Sequence, residues 1–362
     1  MMDKAQWLTG PDRNVTRYGE AAKFREGLYR LTPRTYAWMV PNGSWGETNL
    51  GLIECGGKSV VIDTGWDLHY ANEFLAAAAE LMARSPVHSV INTHADGDHC
   101  WGNQLYGDVP IIATHACIDH MHHIEPQSMR LLGKAASVMK RLPVAGIDVL
   151  GHYTSAMLAP YDFRGIRLVA PNQGFSGETT VTVSGIDLVL IELGPAHTPG
   201  DAMIHVPSEK VLYAGDILFA HGTPVVWAGP VANIVAGLRK VLSLDVDIIV
   251  AGHGPLATRP DVELQIAYWE LIQEELHRRR GQGMTAAEAA SDLLLGVEFQ
   301  ATTFARWDSP ERLLRNAQAL YEEWGERPSP MPDKIAQLNT MRQQALLAMK
   351  LPDATPRVMH HR

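Results

Sequence analysis

INTHADGDHCWGN (residues 91–103) sets His94, Asp96, Asp98 and His99 within six residues, directly behind the apolar run PVHSVI. Alternate residues of an extended segment project to the same side, so four such side chains can converge on one cation. A lone histidine is ordinarily a surface or core residue; four metal-competent groups on one loop ask for more than a polar loop. Upstream, HYANEFLAAAAELMAR (69–84) has the composition and length of a helix, and KSVVIDTG (58–65) reads as a strand. Strand, helix and apolar second strand make a βαβ unit, which points to an α/β layered fold.

The same pattern recurs further along. LIELGPAHTPGD ends a strand and delivers His197, VLYAGDILF delivers Asp216, and DIIVAGHGP delivers His253. In layered α/β folds function collects in loops at strand ends, because a rigid sheet fixes their positions. Between these motifs, residues 27–40, 49–55 and 109–114 read as strands and 120–150 as mainly helical. IRLVAP (166–171) and ETTVTVSGIDLVLIEL (178–193) return to strands, 203–216 is a hairpin, and 231–244 an amphipathic helix.

Three regions follow: an irregular polar arm over 1–26, a layered domain over 27–258, and a strand-free helical extension over 259–362. In the extension, Thr285 and Glu288 form a capping box, and Ser309 caps a helix with Pro310 in its first position.

Of the 362 residues 46% are apolar and 20% charged, enough for a sizeable core. A net charge of −9 argues against nucleic acid or an anionic membrane as partner. The three cysteines, Cys55, Cys100 and Cys117, lack CxxC spacing and suit a reducing compartment, Cys100 as a small buried residue. The N-terminal residues lack a signal-peptide pattern and no run is long enough to span a membrane, so a soluble cytoplasmic protein is expected. GxSxG, Walker and GxGxxG loops are absent, so activation falls to a metal.

Taken in order, the DTG at Asp63, the HxxxDH loop, AHTPGD, AGD and AGHGP resemble the metallo-β-lactamase superfamily over residues 27–258. The resemblance implies an αββα sandwich of two mixed sheets with outer helices and a one- or two-metal site at one edge. By motif, His94, Asp96 and His197 would hold one metal, Asp98, His99 and His253 the second. Asp216 would bridge them and Asp63 would support the loop. The departure is Asp96, where the family loop, HxHxDH, carries histidine. The carboxylate adds charge and a harder donor. Zinc is favoured, as one or two ions, with iron or manganese as alternatives.

A zinc-dependent hydrolase follows, using a metal-bound hydroxide on a small-molecule substrate through an ester, lactone, thioester or amide bond. Asp98 would orient the nucleophile and accept its proton, and Asp216 completes the catalytic pair. The Met- and Leu-rich stretch 115–165, with Met121, Met129, Met139 and Met157, suggests a lid and an apolar substrate. Trp101, Trp227 and His221 are candidate pocket residues, and His120, His122 and His123 a helix end or an auxiliary site. A hydrolytic dehalogenase of a chlorinated aromatic would use the same hydroxide on an activated aryl carbon. A di-iron redox protein is the reading from another class, disfavoured because the tail shows no flavin site. A vestigial site, a nuclease and a β-lactamase fit less well, and a homodimer through the helical extension stays open.

Overall fold

The computed structural model describes residues 2, 5–122, 125–326, 333–351 and 353–359; His123 lies outside them. The first sheet has eight strands in sequence order: β1 (Gln6–Thr9), β2 (Gly27–Arg30), β3 (Thr35–Met39), β4 (Leu50–Glu54), β5 (Ser59–Ile62), β6 (Val87–Ile91), β7 (Ile111–Thr114) and β8 (Gln173–Phe175). Pairing is antiparallel from β1 to β5 and parallel from β5 to β8. The second sheet contains β9 (Glu178–Val183), β10 (Ile186–Glu192), β11 (Ala202–Val206), β12 (Val211–Tyr213) and β13 (Ile248–Val250), in spatial order 13-12-11-10-9. Only its β12–β13 pair is parallel. Both sheets are mixed, as expected.

Period-two alternation sorts the side chains into layers. Tyr29, Ala37, Met39, Ile53, Val60 and Ile62 of the first sheet meet Leu188, Leu190, Ile204, Val206 and Val211 of the second in the central core. Their neighbours Leu28, Trp38, Leu52 and Val61 turn outward onto α1 (Leu68–Arg84). Asp67 caps that helix by accepting from the Tyr70 N–H at 2.7 Å, and Tyr70, Phe74 and Ala78 fill its buried face. Four short or medium helices follow: α2 (Gly97–Cys100), α3 (His115–Met121), α4 (Pro126–Met139) and α5 (Ile147–Leu158). On the far side α6 (Val231–Ser243) covers the second sheet through Ile234, Leu238 and Val241.

Helices make up the remaining regular structure: α7 (Arg259–Gly281), α8 (Ala286–Leu295), α9 (Val297–Gln300), α10 (Leu313–Glu323) and α11 (Asp333–Ala348). The Thr285–Glu288 capping box opens α8 as read from sequence. Tyr268, Trp269, Leu293, Leu313 and Leu320 join the same apolar cluster as α6 and the outer face of the second sheet. Among the described residues no helix is long and apolar enough to cross a membrane.

Three expectations are corrected. The N-terminal arm is not wholly irregular, since β1 pairs with β2 and extends the first sheet. IRLVAP is not a strand: its backbone meets side chains instead, Val169 O accepting from Asn103 and Arg167 N–H donating to Gln104. Ser309 stands at the N-cap position with Pro310 first, as read, but of a 3-10 turn and without a side-chain capping bond. It sits at φ +55, its hydroxyl pairs with that of Ser44, and a 3-10 turn precedes α10.

Candidate metal centre

β5 and β6 are parallel, as are β12 and β13, so their C-terminal ends open toward one edge of the sandwich. Asp63 follows β5, the 94–99 loop follows β6, Asp216 follows β12 and His253 follows β13; His197 comes from the β10–β11 loop. Side chains of the β3–β4 loop fasten the two sheets here. Asn49 donates to the carbonyls of Ala251 and Gly254 at 2.9 and 2.8 Å.

All seven candidate ligands converge. Three trios have their donor atoms mutually within 4.8 Å: His94, Asp96 and His197; Asp98, His99 and His253; and His94, His99 and Asp216, which links the other two. Asp216 lies between those two. Its Oδ1 is 3.2 Å from His99 Nε2, and its Oδ2 is 3.3 Å from His253 Nε2, 3.4 Å from His197 Nε2 and 3.8 Å from His94 Nε2. Donors bonded at about 2.0–2.2 Å to one tetrahedral ion stand roughly 3.3–3.6 Å apart, and the separations from His99, His253 and His197 come within about 0.1 Å of that spacing, His94 standing slightly wider.

Each imidazole is held by its other nitrogen. His99 Nδ1 faces Asp63 Oδ2 at 2.8 Å, His197 Nδ1 the Val225 carbonyl at 2.7 Å, and His253 Nδ1 the Glu47 carbonyl at 3.1 Å. Thr93 donates its hydroxyl to Asp63 at 2.7 Å, which leaves its oxygen to accept from His94 Nδ1 at 2.9 Å. Every Nδ1 is therefore placed to donate toward an oxygen, which leaves every Nε2 facing inward to take either a proton or a cation. Among the described residues, buried His94 Nε2, His99 Nε2 and Asp216 Oδ1 have no hydrogen-bond partner. Orphaned atoms at the centre of a cluster are what a cation satisfies. Charge says the same. Against burial, the bond to Asp96 and the charge of Asp216 raise His197 to about 9, while His253 and His99 hold the buried Asp216 well below the carboxylate range. The donor set fits one or two divalent ions.

Asp96 is placed by partners the sequence did not announce. Its Oδ2 accepts from the Trp227 indole N–H at 3.1 Å and lies 3.2 Å from His197 Nε2. Thr48 donates to Asp98 Oδ2 at 2.7 Å. Gly252 has no room for a side chain, since a Cβ there would overlap Asp216 Oδ1. Behind the cluster, Phe219 stacks on His253 at 5.0 Å. Asp98 and Asp96 are partly exposed and the histidines buried, so solvent reaches the cluster over these two carboxylates and Trp227.

The pocket candidates separate. Trp227 stands at the mouth, 48% exposed, whereas Trp101 is buried beneath α2 against Phe163 and Gly97. His221 turns to Asp261 at 2.9 Å. Met121 and Met157 are buried and Met129 packs against the Trp66–Trp101 cluster, so these methionines are core rather than lid. Cys100 is a buried thiol, as expected, and His122 is exposed at the end of α3.

The comparisons with known proteins agree with this geometry. The chain is 25% identical over 288 residues to the 2,4-dinitroanisole O-demethylase subunit alpha of Nocardioides sp. (strain JS1661), covering 76% of this chain and 71% of that one. It is 22% identical to the alkyl/aryl-sulfatase BDS1 of Saccharomyces cerevisiae, over 82% of this chain and about half (49%) of the sulfatase. It is 29% identical to the hydroxyacylglutathione hydrolase of Bartonella quintana, over 58% and 75%. Among solved structures, the inverting sec-alkylsulfatase Pisa1 from Pseudomonas sp. superposes with a TM-score of 0.61 at 18% identity, over 89% of this chain and 56% of that one. A metallo-beta-lactamase family protein of Thermus thermophilus gives 0.57 at 19% identity, over 83% and 98%. A family profile matches residues 43–253, more than half of the chain, with all seven clustered residues inside it: the chain belongs to the metallo-beta-lactamase superfamily.

Proposed function

We propose that this metallo-hydrolase acts through two zinc ions on a small, largely apolar ester. The observation that carries the reading is the double trio about Asp216, with every imidazole pinned through Nδ1 and turned inward through Nε2. Bound zinc supplies Lewis acidity and acidifies water to a pKa of about 7. The protein does the rest. Asp63, Thr93 and the carbonyls of Glu47 and Val225 fix the histidines, so no reorganisation is needed as charge develops. Asp98, restrained by Thr48 and partly exposed, would orient the nucleophile and receive its proton. The exposed indole of Trp227 offers an apolar surface beside Asp96. Activities named for relatives, on a sulfate ester and on a hydroxyacylglutathione, support ester-type chemistry.

A second reading is attack on an activated aryl carbon, supported by the relative named for 2,4-dinitroanisole, an aryl methyl ether. The dehalogenase expectation belongs to this reading. The test is elemental analysis of protein purified without added metal, followed by turnover of 4-nitrophenyl acetate, 4-nitrophenyl sulfate, a thioester, 2,4-dinitroanisole and a chloroarene. About two zinc per chain and chelator-sensitive cleavage of an ester are expected. Cleavage of the ether or chloroarene alone selects the second reading. Iron with no hydrolysis on any member sinks both.

A further inference from the structure

Helix α4 has two apolar faces, and the fold uses one of them. Ala136 is buried, and Met129 and Leu132 pack against the Trp66–Trp101 cluster. Gly151 of α5 makes the close approach possible, since a Cβ there would overlap the backbone of Met139 and Lys140. On the other side Leu131, Ala135 and Val138 face solvent at the helical spacing i, i+4 and i+7. Leu142 and Val144, in the turn after the helix, are exposed as well. The four large side chains in this row are 41–60% exposed. Elsewhere among the described residues, exposed large apolar side chains stand singly or in pairs along the chain. A surface that gathers such residues marks a site of interaction.

Charge on this stretch runs against the rest of the chain. PQSMRLLGKAASVMKRLPVAGI (126–147) holds Arg130, Lys134, Lys140 and Arg141 and no carboxylate, in a chain with 40 acidic and 31 basic residues. Arg130 donates to the Gln127 amide oxygen at 3.3 Å, and among the described residues none of the four cations enters an ion pair. Arg130 and Lys134, four residues apart, flank Leu131 and Val138, and Arg141 stands two turns further on. The net charge of −9 argues against an anionic membrane for the surface as a whole. Salt, however, screens exposed charges beyond about 8 Å, so docking answers to the local charge.

We propose that the outer face of α4 and the turn after it form a docking surface for an anionic phospholipid bilayer. Leu131, Val138, Leu142 and Val144 enter the boundary between headgroups and acyl chains, and Arg130, Lys134 and Arg141 meet the lipid phosphates. Two other occupants fit less well. Isologous pairing of two copies through α4 would bury both cationic rows in one interface with no carboxylate between them. A protein partner would need a groove shaped to the helix, whereas a bilayer accepts an apolar row with cations beside it wherever the row lies. Docking at this face does not depend on which bond the metal centre cleaves.

The test is flotation of the full-length, metal-loaded protein with two kinds of vesicle, phosphatidylcholine alone and an equal mixture of phosphatidylcholine and phosphatidylglycerol. Saturable binding to the anionic vesicles is expected, at least tenfold tighter than to phosphatidylcholine and weakened by salt. Each cation near the surface is worth roughly fivefold in partitioning, so K134E/R141E should bind at least tenfold more weakly. L131Q/V138Q should lose as much at unchanged charge. All four side chains are exposed, so metal content, circular dichroism and sedimentation should match the wild type in both variants. Should one variant lose its fold, the other carries the test. Equal binding to the two vesicles, or anionic binding that neither variant weakens, overturns the proposal. No binding to either vesicle also overturns it, and leaves the face to an acidic protein. A dimer in sedimentation that L131Q/V138Q dissociates assigns the face to a second copy, and overturns it too.

Discussion

Among single residues, Asp96 is the point where the metal loop departs from the family pattern, and Trp227 is its partner. Carboxylates that hold metals depend on the groups that hydrogen-bond them, and losing such a partner costs about 10–100-fold in metal affinity. W227F removes the indole N–H and keeps an aromatic ring. On the two-zinc reading it should weaken one metal position at least tenfold and spare the other, as read by competition with a chelator; equal weakening of both would refute the assignment. Glu47 gives a pH prediction. Burial pushes its carboxyl up to about 8, opposed by the Ser44 and Gly43 N–H bonds, while the unfolded chain titrates at about 4.3. Between those values the folded state holds a proton the unfolded state lacks. Stability from this group is therefore full below about 4.3 and falls as pH rises through about 8, by at most ~1.4 kcal/mol per pH unit. Urea unfolding from pH 5 to 8 should show a shallower decline in E47Q than in wild type, and parallel profiles would mean that Glu47 is ionised when folded. The seven clustered residues were legible because each sits in a motif at a strand end. The carbonyls of Val225 and Glu47 were not, since every residue has a carbonyl and only the fold aims it. Nor could residue type separate Trp101 from Trp227; the bare Gly97 leaves the space under α2 that Trp101 fills.

Between residue and molecule stands the segment 223–228, which ties the helical extension to the metal cluster. Its Val225 carbonyl orients His197, and its Trp227 and Ala228 N–H groups donate to the His197 carbonyl at 2.8 and 3.1 Å. From the other side, Asn316 on α10 accepts from Val226 N–H at 3.1 Å and donates to Pro224 O at 2.8 Å. Arg312 and Arg315 bond the carbonyls of Thr223 and Trp227, both at 3.1 Å. N316A leaves buried backbone groups unpaired, at about 1–3 kcal/mol each. We expect lower stability by thermal denaturation, together with weaker metal binding in the trio containing His197; a stability loss with unchanged metal affinity would mean that the segment holds its shape without α10. Sequence patterning foresaw the helices and most strands because their apolar periods were clean. It misread IRLVAP because side-chain amides of the 103–104 turn, not a neighbouring strand, satisfy that backbone. It misread Ser309 because its hydroxyl is claimed by Ser44 across the chain.

For the whole molecule the issue is whether the layered part, through residue 258, stands without the helices. Reading it from sequence as a separate region rested on the loss of strands after Arg259, and periodicity carries no information about which faces are shared. In the structure the outer face of the second sheet and α6 share one apolar cluster with α7, α8 and α10. Tyr268, Trp269, Ile272 and Leu276 of α7 are completely buried in it. Burying a large apolar side chain contributes about 1.5–3 kcal/mol, so these four alone account for roughly 6–12 kcal/mol. A domain's net stability is only about 5–15 kcal/mol. Removing the helices would also bare part of the apolar cluster they complete, a recipe for aggregation. A fragment ending at residue 258 should therefore fail to fold, and the full chain should unfold in one transition followed identically by far-UV and near-UV circular dichroism. A soluble fragment with its own cooperative transition and intact metal binding would show the extension to be an accessory. The segment 223–228 argues against that outcome, because the helices that complete the core are also those that hold His197 and Trp227 against Asp96.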